Sequence, residues 1–202
     1  AGLPAGEEKS NMYDTARQLL KEARYEAVGM DHFVRPDDEL FTALQTKQLH
    51  RNFQGYCTRR TTGQVYAFGV TGISQLSTAY SQNIKDITAY IETINQGGFA
   101  VTKGYSLSYE EQLTREAIES LMCNGSLDWE ELARQAGISS KTYRAATAFN
   151  PERMNEFASD GLITWSEHNI QLTPKGAIFV RNVAASLDKL MLHTTKSFSK
   201  PV

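Results

Sequence analysis

The sequence has few cysteines and no long apolar run. Its 202 residues include two cysteines, Cys57 and Cys123, which are 66 positions apart. This count favours neither a disulfide framework nor a C-x-x-C metal knuckle. No stretch approaches the roughly 20 consecutive apolar residues of a membrane helix, and residues 1–10 lack the basic start and apolar run of a signal peptide. We therefore expect a cytoplasmic protein with no membrane partner.

Positive charge is also scarce. The chain has 21 basic and 23 acidic residues, a net charge of −2, so it offers no general attraction to nucleic acid. Residues 131–144 have the pattern of a helix-turn-helix, and a hairpin further along the chain could be the wing of a winged helix. From residue 105 onward, however, there are 10 basic and 12 acidic residues, and the second helix carries only Lys141 and Arg144. We expect winged-helix packing without a nucleic-acid partner.

The four histidines show no metal-binding spacing. His32, His50, His168 and His193 form neither H-x-x-x-H nor H-E-x-x-H, which excludes a zinc helix of that kind. His32 differs from the others because it follows a predicted strand, beside Asp31, where parallel-sheet folds place ligands. It is a candidate functional residue, and a loop histidine bonded to the backbone is an equally good interpretation.

Residues 1–103 alternate between helical and extended patterns. The predicted elements are helix 6–24, strand 25–29, helix 37–48, strand 65–74 and helix 84–96. This alternation is typical of an α/β fold with a parallel sheet. Two strands are too few for such a sheet, because both edges would be unpaired. We therefore predict that residues 1–103 are the C-terminal strands and helices of a partial parallel βα barrel, and that the chain is a fragment.

Residues 104–202 predict closely spaced helices. Helix starts are indicated by Ser108-x-x-Glu111, Asp128-x-x-Glu131, Asn150-Pro151 and Thr173-Pro174. Apolar pairs on either side of residues 166–169 predict a small hairpin, and a last helix is expected over residues 174–192. The predicted architecture is thus α/β plus α, with a helical, winged-helix-like domain over 104–202.

Several short sequence segments, spread over most of the chain, resemble those of one enzyme family. They are Gly29-Met-Asp-His-Phe33, Arg35-Pro-Asp-Asp-Glu-Leu40, Leu49-His-Arg-Asn-Phe-Gln-Gly-Tyr56, Phe68-Gly-Val-Thr-Gly-Ile-Ser74, Leu121-Met-Cys-Asn124, Leu172-Thr-Pro-Lys-Gly176 and the closing Phe198-Ser-Lys-Pro-Val202. Together they resemble the C-terminal half of the oxygen-independent coproporphyrinogen III oxidase family. A related heme-chaperone branch has a different segment in place of Gly-Met-Asp-His-Phe. The presence of that segment here favours the oxidases over the heme chaperones.

The resemblance implies radical S-adenosylmethionine chemistry in porphyrin and heme biosynthesis. In this family a [4Fe–4S] cluster and S-adenosylmethionine generate a 5′-deoxyadenosyl radical. Two propionates of coproporphyrinogen III then become vinyl groups, giving protoporphyrinogen IX. The family's C-x-x-x-C-x-x-C segment is absent here, so we expect this chain alone to hold no cluster or other cofactor and to be inactive. The implied partners are the missing N-terminal half, an electron donor and an electron acceptor.

The resemblance also implies site residues. Ile73 matches a position that meets S-adenosylmethionine, and Gln54 matches a glutamine implicated in activity. His32 and Arg51 are weaker candidates for a polar or carboxylate-binding role, Arg51 because arginine pairs well with a propionate. Cys57 stands where the family usually has threonine, and Thr71-Gly72 replaces the common Ser-Ala.

Two other functions stay open at this point. One is a non-catalytic relative that binds or delivers heme, which would retain heme and form no vinyl product. The other is a winged-helix nucleic-acid binder, which would show salt-sensitive DNA binding.

Overall fold

Helices and short strands alternate along the chain. The structure is a computed structural model that describes residues 4–58 and 64–192. The helices are α1 (Gly6–Glu22), α2 (Glu39–Gln45), α3 (Ile87–Asn95), α4 (Tyr109–Asn124), α5 (Trp129–Ala136), α6 (Ser140–Ala146), α7 (Pro151–Ser159) and α8 (Val180–Ala185). The strands are β1 (Glu26–Val28), β2 (His32–Val34), β3 (Leu49–Arg51), β4 (Tyr56–Thr58), β5 (Ile73–Gln75), β6 (Ala79–Asn83), β7 (Val101–Ser106), β8 (Ser126–Asp128), β9 (Ile163–Trp165) and β10 (Asn169–Leu172).

The strands of the first half pair antiparallel. β1 pairs with β2, β3 pairs with β4, and β6 lies between β5 and β7. The expectation of parallel pairing is therefore wrong for the strands that the structure describes. The physical reason is the connections: three or four residues join β1 to β2, β3 to β4 and β5 to β6, whereas a parallel pair needs a crossover of a dozen or more residues.

The strand expected over residues 65–74 is much shorter than predicted. Only Ile73 and Ser74 of that range lie in β5, and Val65 makes one isolated bridge to Gln75. The Asn83 side-chain amide donates to the backbone oxygens of Ala67 and Gly69, at 3.2 and 2.9 Å. Side-chain hydrogen bonds thus hold this segment as a loop, although its residues are typical of strands.

The helix starts expected after residue 104 are mostly confirmed. Ser108 and Glu111 form a reciprocal capping box on α4, and Asp128 caps α5. Asn150 caps α7, with Pro151 at its first position. The hairpin is also confirmed as β9 and β10, and β10 pairs on its other edge with β8.

The continuous helix expected over 174–192 is wrong. A 3-10 turn covers Gly176–Phe179, α8 follows, and a second 3-10 turn covers Lys189–Met191. Asp188 breaks the helix because its backbone is extended and its carboxylate caps the second turn, accepting from the Leu190 amide at 2.9 Å.

Helix α4 packs into two apolar clusters. The larger cluster contains Leu113, Ala117 and Leu121 of α4 together with residues of the following elements, among them the fully buried Trp129. The smaller cluster contains Cys123 of α4 with Val28, Ala43, Leu49 and Tyr56. Strand β7 crosses the boundary predicted between residues 103 and 104. In the ranges described, no helix is long and apolar enough to cross a membrane.

Candidate active site

Tyr56 brings two of the predicted site residues together. The His32 ring meets the Tyr56 ring edge-on, with centroids 5.1 Å apart, and Cζ of Arg51 lies 4.8 Å from the Tyr56 centroid. The Tyr56 hydroxyl donates to the backbone oxygen of Met122 in α4 at 3.0 Å. Burial raises the pKa of Tyr56 to about 12, so this ring is neutral at physiological pH.

Two glycines allow this arrangement. Gly29 has a φ of 63°, and a Cβ there would lie 2.0 Å from the Tyr56 ring. Gly55 has a φ of 154°, and a Cβ there would lie 2.8 Å from Nε2 of His32. The turns between paired strands therefore need glycine for both backbone conformation and close approach.

His32 has a carboxylate partner. Its Nδ1 lies 2.8 Å from Oδ1 of Asp31, and its side chain is one-third exposed. The aspartate orients the ring while Nε2 faces the backbone of Gly55. The hydrogen-bond partner of the ring is thus the Asp31 carboxylate and not a backbone group.

Gln54 lies in the exposed turn that connects β3 to β4. The side-chain Oδ1 of Asn52 accepts from the backbone N–H groups of Gln54 and Gly55, at 2.8 and 3.1 Å. The backbone N–H of Asn52 donates to the backbone oxygen of Gly55 at 3.0 Å. This side-chain turn fixes the backbone at Gln54. Phe53, beside it, is 60% exposed and meets Tyr80 of β6 edge-on at 5.5 Å.

Ile73 lies in a different sheet from Arg51. It is half-buried, opens β5 and pairs with Gln82. Because alternate residues of a strand point to the same face, Ile73 shares a face with Gln75. Thr71, two residues earlier, has a φ of 61°, a strained conformation for a β-branched residue. Ile73 thus lies beside a strained loop and two residues before Gln75, which lines the groove described next.

A groove of about 510 Å³ connects the two halves of the chain. Its lining includes Arg51, Asn52 and Phe53 from the β3–β4 region, Gln75 and Tyr80 from the second sheet, and residues of α4, α8 and the following turn, namely Arg115, Ile118, Glu119, Met122, Arg181, Ala184, Ala185, Asp188 and Met191. Of the four predicted site residues, only Arg51 lines it. Gln54 follows the lining residue Phe53, Ile73 lies two residues before Gln75, and His32 contacts Tyr56, the hairpin partner of Arg51.

His50 is a buried polar residue that the sequence patterns did not single out. Its Nδ1 lies 2.6 Å from Oε1 of Glu119, and the two side chains are 4% and 9% exposed. Nε2 of His50 lies 3.3 Å from the side-chain nitrogen of Gln75. This contact joins β3 to α4 across 69 residues, and no local spacing could have indicated it.

Comparison with known proteins places this geometry in context. Residues 107–179 match the family model described as the HemN C-terminal domain. The oxygen-independent coproporphyrinogen III oxidase of Salmonella typhimurium is 36% identical over 188 residues, which are 93% of this chain and 40% of the relative. That of Helicobacter pylori strain J99 is 34% identical over 198 residues, 98% of this chain and 42% of the relative.

A solved structure agrees with the sequence relatives. It is coproporphyrinogen III oxidase (HemN) from Escherichia coli, described as a radical SAM enzyme, with a TM-score of 0.83 and 34% identity over 93% of this chain and 42% of that chain. The chain is similar to the C-terminal region of oxygen-independent coproporphyrinogen III oxidases. The resemblance seen in its sequence phrases is confirmed, and the chain spans about two-fifths of the length of these relatives.

The described residues of this chain do not fit an iron–sulfur cluster. A [4Fe–4S] cluster is held by cysteine thiolates, and the whole chain has only Cys57 and Cys123. Cys123 is buried in the smaller apolar cluster, and Cys57 lies opposite His50 in the β3–β4 pair. Within residues 4–58 and 64–192, no three His, Cys, Asp or Glu side chains are grouped to hold a metal ion. No chemical step is therefore assigned to a cluster on these residues.

Proposed function

We propose that the chain is the C-terminal half of an anaerobic coproporphyrinogen III oxidase. The whole enzyme would convert two propionates of coproporphyrinogen III to vinyl groups, giving protoporphyrinogen IX. The observation that carries this proposal is the fold match at a TM-score of 0.83 over 93% of the chain, which accompanies the phrases quoted above. The first half of the chain would pack against the missing N-terminal half, and the helical second half would form a winged-helix-like cover over the substrate cleft.

The chemistry requires groups that the whole enzyme would supply. A [4Fe–4S] cluster held by the missing half, with S-adenosylmethionine, would provide the radical that removes a hydrogen atom from the propionate β-carbon. The propionate then loses carbon dioxide and one electron, which passes to an acceptor, and the vinyl group remains. This chain's own residues would bind and orient the substrate and would exclude water, because such a radical must be kept from competing reactions.

Each candidate residue has a role suited to its place. Ile73, half-buried beside the loop at Thr71, would contact the flat adenine of S-adenosylmethionine. Gln54, at the exposed hairpin turn, would hydrogen-bond to cofactor or substrate. Arg51 would pair with a propionate. His32, oriented by Asp31, would contact a polar group of the substrate.

Exposed apolar side chains in the first half of the chain support the proposal that another segment packs on it. Phe68 and Phe99 are 91% and 94% exposed, and Tyr66 and Ile87 are each more than 60% exposed. Side chains of this size are seldom left in water as a group. We propose that the N-terminal half of the oxidase packs on them.

The charged residues of the helix-turn-helix support packing over nucleic-acid binding. Nη1 of Arg144 lies 2.9 Å from the Glu167 carboxylate and also donates to the Glu167 backbone oxygen. This contact ties α6 to the β9–β10 hairpin and leaves Lys141 as the other basic residue of the helix. A groove-reading helix needs several such residues for phosphates.

The proposal is tested by anaerobic turnover of the full-length enzyme. Ile73→Ala and Gln54→Ala should each lower vinyl-product formation at least tenfold, because each removes a contact near the reacting groups. Arg153→Gln, which changes an exposed residue of α7, is the matched control and should turn over normally. Wild-type activity in both site variants would remove the site assignment. A parent that retains heme and forms no vinyl product would favour the heme-binding alternative.

A further inference from the structure

The groove between the two halves of the chain combines an apolar surface with three arginines. Its apolar lining comes from Phe53, Ile118, Met122 and Met191 and from the alanines of α8. At about 510 Å³ it falls in the range of roughly 300–1,000 Å³ typical of ligand pockets. The arginines come from three separate elements: Arg51 from β3, Arg115 from α4 and Arg181 from α8.

Two of these arginines carry buried nitrogen atoms without a partner. Nη1 of Arg51 and Nε of Arg115 are buried and make no hydrogen bond. Leaving such a group unsatisfied costs roughly 1–3 kcal/mol, so native structures rarely contain one without an ion, a water or a ligand to account for it. Arg181 lies exposed at the rim, and among the described residues it forms no hydrogen bond or ion pair.

The two acidic residues of the groove are already engaged. Glu119 binds His50, and Asp188 accepts the Leu190 amide. Arg115 donates from Nη1 and Nη2 to the backbone oxygens of Leu76 and Ser77, at 3.1 and 2.7 Å. It therefore positions the β5–β6 turn against α4, while Arg51 and Arg181 are the guanidinium groups with capacity for a further anion.

We infer that this groove binds a carboxylate-bearing apolar ligand, with Arg51 and Arg181 as its carboxylate contacts and Arg115 as the positioning residue of the wall. The inference rests on the proposed function for the identity of the ligand, a propionate-bearing tetrapyrrole. It adds that the helical second half contacts the substrate directly through α8. Guanidinium groups suit this task because they pair with carboxylates through two parallel hydrogen bonds.

The test measures binding without turnover. The 202-residue chain would be titrated with coproporphyrin III, the stable, fluorescent oxidised form with four carboxylates, and with its tetramethyl ester in the same dilute non-ionic detergent. Loss of one charge-assisted hydrogen bond, about 1.5–3 kcal/mol, corresponds to roughly 10- to 100-fold in Kd. Arg181→Gln and Arg51→Gln should each weaken coproporphyrin binding at least tenfold, and Arg181→Lys should restore part of it.

Matched controls separate the possible outcomes. Arg153→Gln removes an equal charge outside the groove and should change Kd less than twofold. Because Arg181 is exposed, its replacement leaves the fold intact even if Arg51→Gln does not. Equal binding of acid and ester, or wild-type binding by Arg181→Gln, would overturn the inference. Arginine-dependent binding by the chain, with no vinyl product from the full-length enzyme, would overturn the proposed function and leave the groove assignment standing.

Discussion

At the scale of single residues, the contacts of Tyr56 decide where His32 and Arg51 lie. Gly29 permits this ring position, because any Cβ there would overlap the ring. Gly29→Ala should lower the free energy of unfolding by about 2–4 kcal/mol, through the overlap together with backbone strain. Urea unfolding followed by circular dichroism measures the loss.

Gly137 provides a matched control for that substitution. Its φ of 68° is close to the 63° of Gly29, but a Cβ there would meet no atom within 4 Å. Gly137→Ala should therefore cost only the strain of the left-handed backbone, about 1–2 kcal/mol. Equal losses for the two variants would show that the Tyr56 ring does not restrict Gly29.

Tyr56 also predicts a dependence of stability on pH. Burial raises the pKa of Tyr56 from 10.0 to about 12. Between these values the unfolded chain releases a proton that the folded chain keeps, so the free energy of unfolding falls as pH rises. Below pH 10 this contribution is fully present, and about 1 kcal/mol is lost by pH 11.

Comparison of the wild type with Tyr56→Phe separates the contribution of Tyr56 to this pH dependence from the contributions of other tyrosines. Urea unfolding at pH 9 and pH 11 should show a smaller loss of stability in Tyr56→Phe, because phenylalanine does not titrate. If both proteins lose the same free energy over this interval, the Tyr56 hydroxyl does not titrate from a buried position.

Sequence reasoning selected His32 and Arg51 as candidates but did not select Tyr56, the residue that both side chains contact. His32 and Arg51 could be chosen because their chemistry and neighbouring residues are visible in the sequence. Tyr56 could not, since its role depends on contacts with Gly29 and with Met122 of α4. Such long-range contacts leave no periodic signal in a single sequence.

At the scale of elements, the His50–Glu119 pair fastens β3 to α4. Both side chains are almost fully buried, so removing one partner leaves a polar or charged group without its counterpart. His50→Leu and Glu119→Leu should each cost about 3–5 kcal/mol. A double-mutant cycle, measured by urea unfolding, should give a loss for the pair well below the sum of the single losses.

The exposed pair of Arg153 and Glu156 on α7 is the control for this cycle. Its partners are each more than half exposed, and disrupting it should cost no more than about 0.5 kcal/mol. Additive losses for His50→Leu and Glu119→Leu would contradict direct coupling between β3 and α4.

Element prediction succeeded where the signal is local. The caps at Ser108, Asp128 and Asn150 were read correctly because a cap is a bond over two or three residues. The antiparallel hairpins of the first half were not predicted, since most of their strands have only three residues, too few to show an alternating pattern. The predicted last helix was too long because its apolar stripe continues beyond Ala185, where α8 ends, into the turn that Asp188 caps.

At the scale of the whole molecule, the exposed aromatic and aliphatic side chains of residues 64–103 predict self-association of the isolated chain. Phe68 and Phe99 are almost fully exposed, and covering them removes apolar area from water. Sedimentation velocity at increasing concentration should show oligomers, and Phe68→Ser with Phe99→Ser should shift the chain toward monomer. A clean monomer at high concentration in the wild-type chain would contradict this surface as a packing face.

The proposed function is a reaction of the complete enzyme. The direct measurement is to recover the coding region upstream of Ala1, express it together with this chain under anaerobic conditions, and assay coproporphyrinogen III for vinyl products. The account predicts a C-x-x-x-C-x-x-C segment about two hundred residues earlier, by the usual length of a barrel, and formation of protoporphyrinogen IX. A protein without that segment, or one that forms no vinyl product when its cluster and S-adenosylmethionine are present, would contradict it.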